Sequence, residues 1–388
     1  MSYRILSLDG GGSWALLQAK ALDQLYPGKS GHQILAEFDL VAANSGGSIV
    51  LGGLIKDLTP AAIVDLFHDE PTRRSLFVPA PFYKRVPKIG PRYSTAAKRE
   101  GLAKLLGREG GRAMRDIQPA GAGGQPVKLV IVAFDYDQKR ATFLRSYASH
   151  AGPPAATISL LDAVHASSTA PVRFYDAPSV VGEHRYWDGG VGGYNNPAMA
   201  AVVEAMIEGA APATIRVLSL GTGAMRLAPR DAEVQAPDAL RQPLDEPGLF
   251  ADIANLATSI LDDPPDAAIY TAYITLGNKP NPQTRSGSGS VVRLSPCIQP
   301  VFDQGRRSWD LPRGLKKDFA DLVKLEMDAT EQPDIERLIR LGDAWIAGDV
   351  PNLPVRLDWK SLDCAVGDPT FAEGAASWRK LTQPAPVA

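Results

Sequence analysis

Apolar and polar positions along the first 223 residues repeat one order: an apolar run, a glycine-rich break, then apolar residues at helical spacing. Ile5 to Leu8 is such a run and meets Asp9-Gly10-Gly11-Gly12, after which Leu16, Ala19, Leu22 and Leu25 carry a helix through Trp14 to Tyr26. Leu40 to Ala43 is the next run; it breaks at Asn44-Ser45-Gly46-Gly47 and resumes to Leu54, which predicts strand, tight turn and helix. Thr59-Pro60 predicts an N-cap and first-turn proline for a helix through Ala61 to Phe67. Residues 69 to 93 read as irregular, 96 to 106 as a basic amphipathic helix, and 127 to 134 and 141 to 146 as strands. A helix from Ser159 to about Ser168 follows, then a strand at Tyr186-Trp187 that delivers Asp188-Gly189-Gly190. Asn196 and Pro197 predict an N-cap and first-turn proline for a helix to Met206, and Ile215 to Leu220 is a strand ended by Gly221-Thr222-Gly223. Strands alternating with helices in this way predict an α/β fold, a mainly parallel central sheet with helices on both faces.

From Ala224 the pattern changes. Helices are expected over 249 to 261 and 266 to 276, a Ser/Gly/Asn loop over 277 to 290, and a last strand over Val291 to Leu294. Two amphipathic helices follow, one carrying Leu315, Phe319, Leu322 and Val323, the other Ile335, Leu338, Ile339, Trp345 and Ile346. The expected organisation is a catalytic core over 1–223 and a mostly helical C-terminal extension over 224–388 packed on it, with a frayed tail after Leu381.

Composition narrows the function classes. Of 388 residues, 45% are hydrophobic and 22% charged, an ordinary globular balance, and the formal net charge of -2 offers no basic field for nucleic acid. Cys297 and Cys364, the only cysteines, lie far apart without a metal-ligand pattern, which fits a reducing compartment. No apolar run approaches membrane-spanning length, and MSYRILSLDGGG has no basic or apolar leader, so the expected location is the cytoplasm.

Candidate chemistry concentrates at the glycine breaks. Ala43-Asn44-Ser45-Gly46-Gly47 approximates the G-x-S-x-G elbow that lifts a serine clear of a sheet, with alanine in the first glycine's place. The plainer reading is a buried strand entering a helix through a glycine turn. Gly10 to Gly12 at a helix start leave backbone N–H groups open to an anion. Such a nest suits an oxyanion hole or a phosphate loop of the actin-like kinase type. His165 reads as a packed core histidine. Residues 77 to 88 mix aromatic and basic side chains and, with the loop 277 to 290, are candidates for a lipid interface or lid.

Together, DGGG at 9 to 12, the serine turn at 45 and DGG at 188 to 190 resemble the patatin-like phospholipase family. PRYSTAAKREGLAKLLG at 91 to 107, AFDYD at 133 to 137, HASSTAPVRF at 165 to 174, NNP at 195 to 197 and LSLGTG at 218 to 223 extend the likeness over Tyr3 to Gly223. The resemblance implies a lipid acyl hydrolase acting on phospholipids or lysophospholipids, with Ser45 as nucleophile, Asp188 as base and an acyl-serine intermediate. It implies an oxyanion hole from Gly10, Gly11, Gly12 and Gly46 and no metal or organic cofactor; peripheral contact with membranes is expected from the composition of residues 77 to 88 and 277 to 290. His184, near Asp188 in sequence, is the histidine to test as a third member. The family follows its three glycines with any residue, then arginine or lysine, then glycine; this chain has Ser13, Trp14 and Ala15 and so lacks that cation. The alternative is a catalytically impaired, lipid-binding or interaction protein on the same fold.

Overall fold

Five apolar strands lie parallel at the centre of the molecule because each is buried on both faces, as the unbroken runs of Val, Leu, Ile and Ala require. The computed structural model describes residues 2–85, 90–117, 119–147, 158–225, 264–281, 286–303, 305–306, 308–352, 355–357 and 364–383. Its strands are β1 (Tyr3–Leu8), β2 (Leu40–Asn44), β3 (Lys128–Asp135), β4 (Arg140–Arg145), β5 (Ser179–Val181), β6 (His184–Asp188) and β7 (Ile215–Leu220). A short β8 (Ala224–Met225) pairs outside the sheet with Cys297–Ile298, and β9 (Val291–Leu294) completes the sheet. The order is β5-β6-β3-β2-β1-β7-β9, with β4 also on β3. From β3 to β9 the pairings are parallel, while β4 and β6 run antiparallel to β3 and β5 antiparallel to β6.

The helices are α1 (Leu16–Leu25), α2 (Gly31–Leu35), α3 (Ser45–Ile55), α4 (Pro60–His68), α5 (Glu70–Leu76), α6 (Thr95–Gly110), α7 (Leu160–Ser167) and α8 (Ala198–Ile207). Leu6, Leu8, Val41, Ala43 and Ile131 point into the larger core, shared with α1, α3, α4, α6 and α7. Ile5, Leu40, Ala42 and Val130 point the other way, against α8 and the helix Pro264–Thr275. Helices therefore cover both faces, as the apolar pattern predicts. Among the described residues no helix is long and apolar enough to cross a membrane.

Among its described residues the C-terminal part carries the helices Pro264–Thr275, Gln332–Ala347 and Phe371–Thr382, with short strands between them. It also lends β9 to the sheet, so the sheet crosses the boundary expected at 223. Trp378 stacks on Phe38 at 5.9 Å and donates its indole N–H to the Tyr26 hydroxyl at 2.8 Å, fastening the last helix to the core.

Some expectations need correction. Residues 69 to 93 are not wholly irregular: Asp69 caps Thr72 N–H and Pro71 sits in the first turn of α5, where its missing donor costs nothing. The expected helix around Leu315 to Val323 is a 3-10 turn at Arg313–Leu315 and a single turn at Phe319–Leu322. Helix α8 begins one residue later than read, with Pro197 at its N-cap and Asn196 accepting from Ala198 N–H at 2.8 Å. The helix expected over 249 to 261 and the tail from 384 lie outside the described residues, as do His150, residues 86 to 88 of the first candidate lid and residues 282 to 285 of the second.

Candidate active site

Strand register brings the two principal candidates together. Asn44 at the end of β2 pairs with Val132 of β3, and the next residue of β3, Ala133, pairs with Asp188 at the end of β6. The serine after Asn44 and the aspartate thus emerge on either side of β3 at the sheet's carboxyl edge, where open α/β sheets form their crevices. Ser45 has φ 48°, a left-handed conformation that non-glycine residues rarely adopt, and α3 starts directly from it. The elbow is close-packed: a Cβ on Gly46 would sit 2.5 Å from the Gly12 carbonyl oxygen, and one on Gly47 would sit 2.6 Å from the Asp9 carbonyl oxygen. The alanine in the motif's first place, Ala43, fits fully buried in β2.

Asp188 is buried, and burial pushes its carboxyl above the usual aspartate range. Opposing this are the neighbouring Ser45 hydroxyl, hydrogen bonds from Gly190 N–H at 2.8 Å and from Asn44 Nδ2 at 3.1 Å, and the charge of Lys98 nearby. Ser167 on α7 braces the elbow by accepting the Ser45 N–H at 2.9 Å and donating to Asn44 Oδ1 at 3.4 Å. Asn44 and Ser167 were not singled out as site residues from the sequence, although both stand in the quoted motifs.

The glycine loop after β1 faces the elbow. Gly10 N–H is engaged by the Asn195 carbonyl at 2.8 Å, and Thr222 Oγ1 donates to the Gly10 carbonyl at 2.7 Å. Gly10 therefore holds the loop in place. No partner for the amides of Gly11, Gly12 and Gly46 is found among the described residues, and Gly46 lies directly against Gly12. Beyond the glycines, Ser13 N–H and Oγ bind the carbonyls of Met327 and Ala329 at 2.8 and 2.9 Å, and Trp14 Nε1 binds that of Glu326 at 3.2 Å. Trp14, at the position where the family carries a cation, and its neighbour Ser13 are thus turned toward the C-terminal segment.

Beneath the loop, Asp9 forms a buried ion pair at 2.6 Å with Arg293 of β9. Burial raises the Asp9 carboxyl to about 6, with Arg293 acting against the rise. Among the described residues Asp9 Oδ1, Arg293 Nε and Gln18 Oε1 are buried and find no partner, a polar pocket that ordered water would complete. Arg293 lies beyond any motif, so no sequence signal pointed to it.

A cleft of about 720 Å³, including its open mouth, runs from Ser45 between α3, α4, α5 and α6. Ile49, Ile63, Leu66, Phe67, Leu76, Phe77, Leu105, Phe174 and Met327 make it apolar, with Arg73, Lys98 and Tyr175 also in its wall.

None of the described histidines joins Ser45 or Asp188. His165 is buried, with Ser179 Oγ at 2.8 Å and the Thr95 carbonyl at 3.1 Å; desolvation and then the charge of Lys98 hold its pKa down to about 3, against the Thr95 hydrogen bond. His184 pairs instead with Asp135 at 3.5 Å. A phosphate-loop role for Gly221 to Gly223 is not favoured, because Gly221 N–H binds the Leu294 carbonyl and Gly223 N–H binds Ser295 Oγ. Among the described residues no group of three or more His, Cys, Asp or Glu side chains is arranged to hold a metal ion.

No curated protein matches the chain in sequence. Among solved structures, VipD from Legionella pneumophila is similar at 10% identity and a TM-score of 0.34, over 88% of this chain and 67% of that one. A family model described as patatin-like phospholipase matches residues 6–202, more than half of the 388-residue chain and the span that carries Ser45, Asp188 and the glycine loop. The chain belongs to the patatin-like phospholipase family, a membership that points to lipid acyl hydrolysis.

Proposed function

We propose that this protein cleaves the carboxylic ester of phospholipids or lysophospholipids through a Ser45–Asp188 dyad. The observation that carries this reading is the Ser45 hydroxyl, held at a strained elbow beside buried Asp188 and opening on an apolar cleft. Ser45 Oγ attacks the ester carbonyl while Asp188 accepts its proton. Burial serves this step, since a carboxylate with a raised pKa is a stronger base. The amides of Gly11, Gly12 and Gly46 receive the oxyanion. Asp188 then protonates the departing alcohol, the acyl group stays on Ser45, and Asp188 activates the water that releases it. The apolar cleft suits an acyl chain.

A second reading, a lipid-binding protein without turnover, draws on Trp14 standing where the family carries a cation. Reaction with a fluorophosphonate, followed by intact mass, separates the two. The expected result is one adduct on the parent, none on Ser45→Ala, and labelling of Asp188→Asn slowed by roughly 10²- to 10⁴-fold. An unlabelled parent favours the binding protein, and an equally labelled Ser45→Ala overturns the assignment of the nucleophile.

A further inference from the structure

Two cations stand in the wall of the cleft, and they are used differently. Arg73 commits its guanidinium to the carbonyls of Thr330 (2.8 Å), Phe67 (2.8 Å) and His68 (3.0 Å) and to Gln332 Oε1 at 3.1 Å. Lys98 is 1% exposed, and among the described residues its ammonium has one hydrogen-bond partner, Thr169 Oγ1 at 3.2 Å. It lies 4.3 Å from the centroid of the Tyr175 ring, within reach of a cation–π contact. An ammonium has three donors, so two remain for something that enters the cleft. The titratable groups that face it are Asp188, whose charge favours the ammonium, and Tyr175 and neutral His165.

Its side of the cleft is informative. Thr169, the partner of Lys98, also accepts the Asp188 N–H at 2.9 Å, which puts the ammonium beside the base. A base that takes the nucleophile's proton returns it to the departing alcohol, so that alcohol lies on the Asp188 side. At the glycine loop Trp14 stands in place of the family's cation, and it and Ser13 are bound to the segment 326–329. A desolvated ammonium gains most from an anion, and burial already disfavours its charge without one.

We propose that Lys98 is an anion subsite of the cleft, which receives a phosphate oxygen carried on the leaving alcohol. The protein then prefers phosphate-bearing lipid esters over neutral esters of the same acyl chain. This rests on the hydrolase reading above and names the residue that sets its preference for the phosphate.

The test compares kcat/KM of the purified full chain on oleoyl lysophosphatidic acid and on mono-oleoylglycerol, which share acyl chain and glycerol and differ by the phosphate, in the same detergent. The readout is the ratio of the two. The parent is expected to favour the phosphate ester, and Lys98→Met to lower the ratio about ten- to a hundredfold, the range of one charge-assisted hydrogen bond. An unchanged ratio, whether or not both activities fall, overturns the proposal and leaves Lys98 acting on Asp188 alone. Should Lys98→Met fail to fold, the parent gives the answer: glycerol 3-phosphate is expected to protect Ser45 from fluorophosphonate where glycerol does not. Equal protection by the two, or none, overturns the subsite. Protection by inorganic phosphate as strong as by glycerol 3-phosphate makes it a free-phosphate site and overturns the lipid assignment. Failure of the hydrolase reading is recognised separately, as no adduct and no turnover of either ester.

Discussion

The two walls of the cleft are built by different means. One is backbone: the glycine loop after β1 and the elbow after β2, held so closely that several glycines have no room for a Cβ. The other is side chain: Ile63, Leu66, Phe67, Leu76 and Leu105 with Lys98 and Tyr175, supplied mainly by helices α4, α5 and α6. A backbone wall presents fixed dipoles whose positions depend on glycine and register, which suits stabilising one charge at one point. A side-chain wall can change shape by substitution, which suits deciding what occupies the cleft.

The largest expected effect breaks the backbone wall. Gly46→Ala places a Cβ 2.5 Å from the Gly12 carbonyl oxygen, a backbone atom that cannot swing aside, and displaces a donor from the oxyanion site. Turnover of short and long esters is expected to fall alike, by about 10²- to 10³-fold, while circular dichroism shows a folded protein. Retained activity on short esters would show that the loop is more pliable than this packing implies.

The next prediction concerns Asp188, at the seam between the walls. Its folded pKa is raised, so the acid limb of the kcat/KM profile is expected above the ordinary aspartate value of about 3.9. Activity should rise with pH as the carboxylate forms. Stability runs the opposite way: the contribution of this group is full below the unfolded pKa and is lost as pH rises through the folded one. Asp188→Asn should therefore melt higher than the parent at pH 7 while losing activity, and a lower melting temperature would mean that the carboxylate's hydrogen bonds outweigh its desolvation.

The smallest effect lies outside the side-chain wall. Phe82 and Tyr83 are 82% and 70% exposed, and Lys84 beside them pairs at 2.8 Å with Asp176, which follows cleft residue Tyr175. Paired aromatics at that rim form a contact for a lipid surface in this reading. Replacing both by serine should weaken sedimentation with anionic vesicles by about tenfold, with hydrolysis of a soluble short-chain ester unchanged; undiminished sedimentation would remove the contact from this segment.

The same contrast explains what the sequence discloses. Backbone features leave marks in residue identity, because only glycine fits them: DGGG, the elbow and DGG were legible at 9 to 12, 45 and 188, as was the two-sided burial of β1, β2 and β3. Residues that act by tertiary position leave none. Lys98 sits among Arg99, Glu100 and Lys104 and reads as part of a solvated face, yet helix packing turns it into the cleft. Arg293 occupies an ordinary strand, and its meaning comes from β9 lying beside β7. Helix α5 was obscured because proline reads as a breaker until its place in a first turn is known.

The ion pair between Asp9 and Arg293 has a consequence for biosynthesis. A nascent chain that has emerged only as far as Gly223 carries the nucleophile, the base and the glycines, but neither Arg293 beneath the loop nor the carbonyls of Glu326, Met327 and Ala329 that hold Ser13 and Trp14. Translation must pass residue 329 before every anchor of that loop exists, so a ribosome-bound intermediate lacks a finished glycine loop.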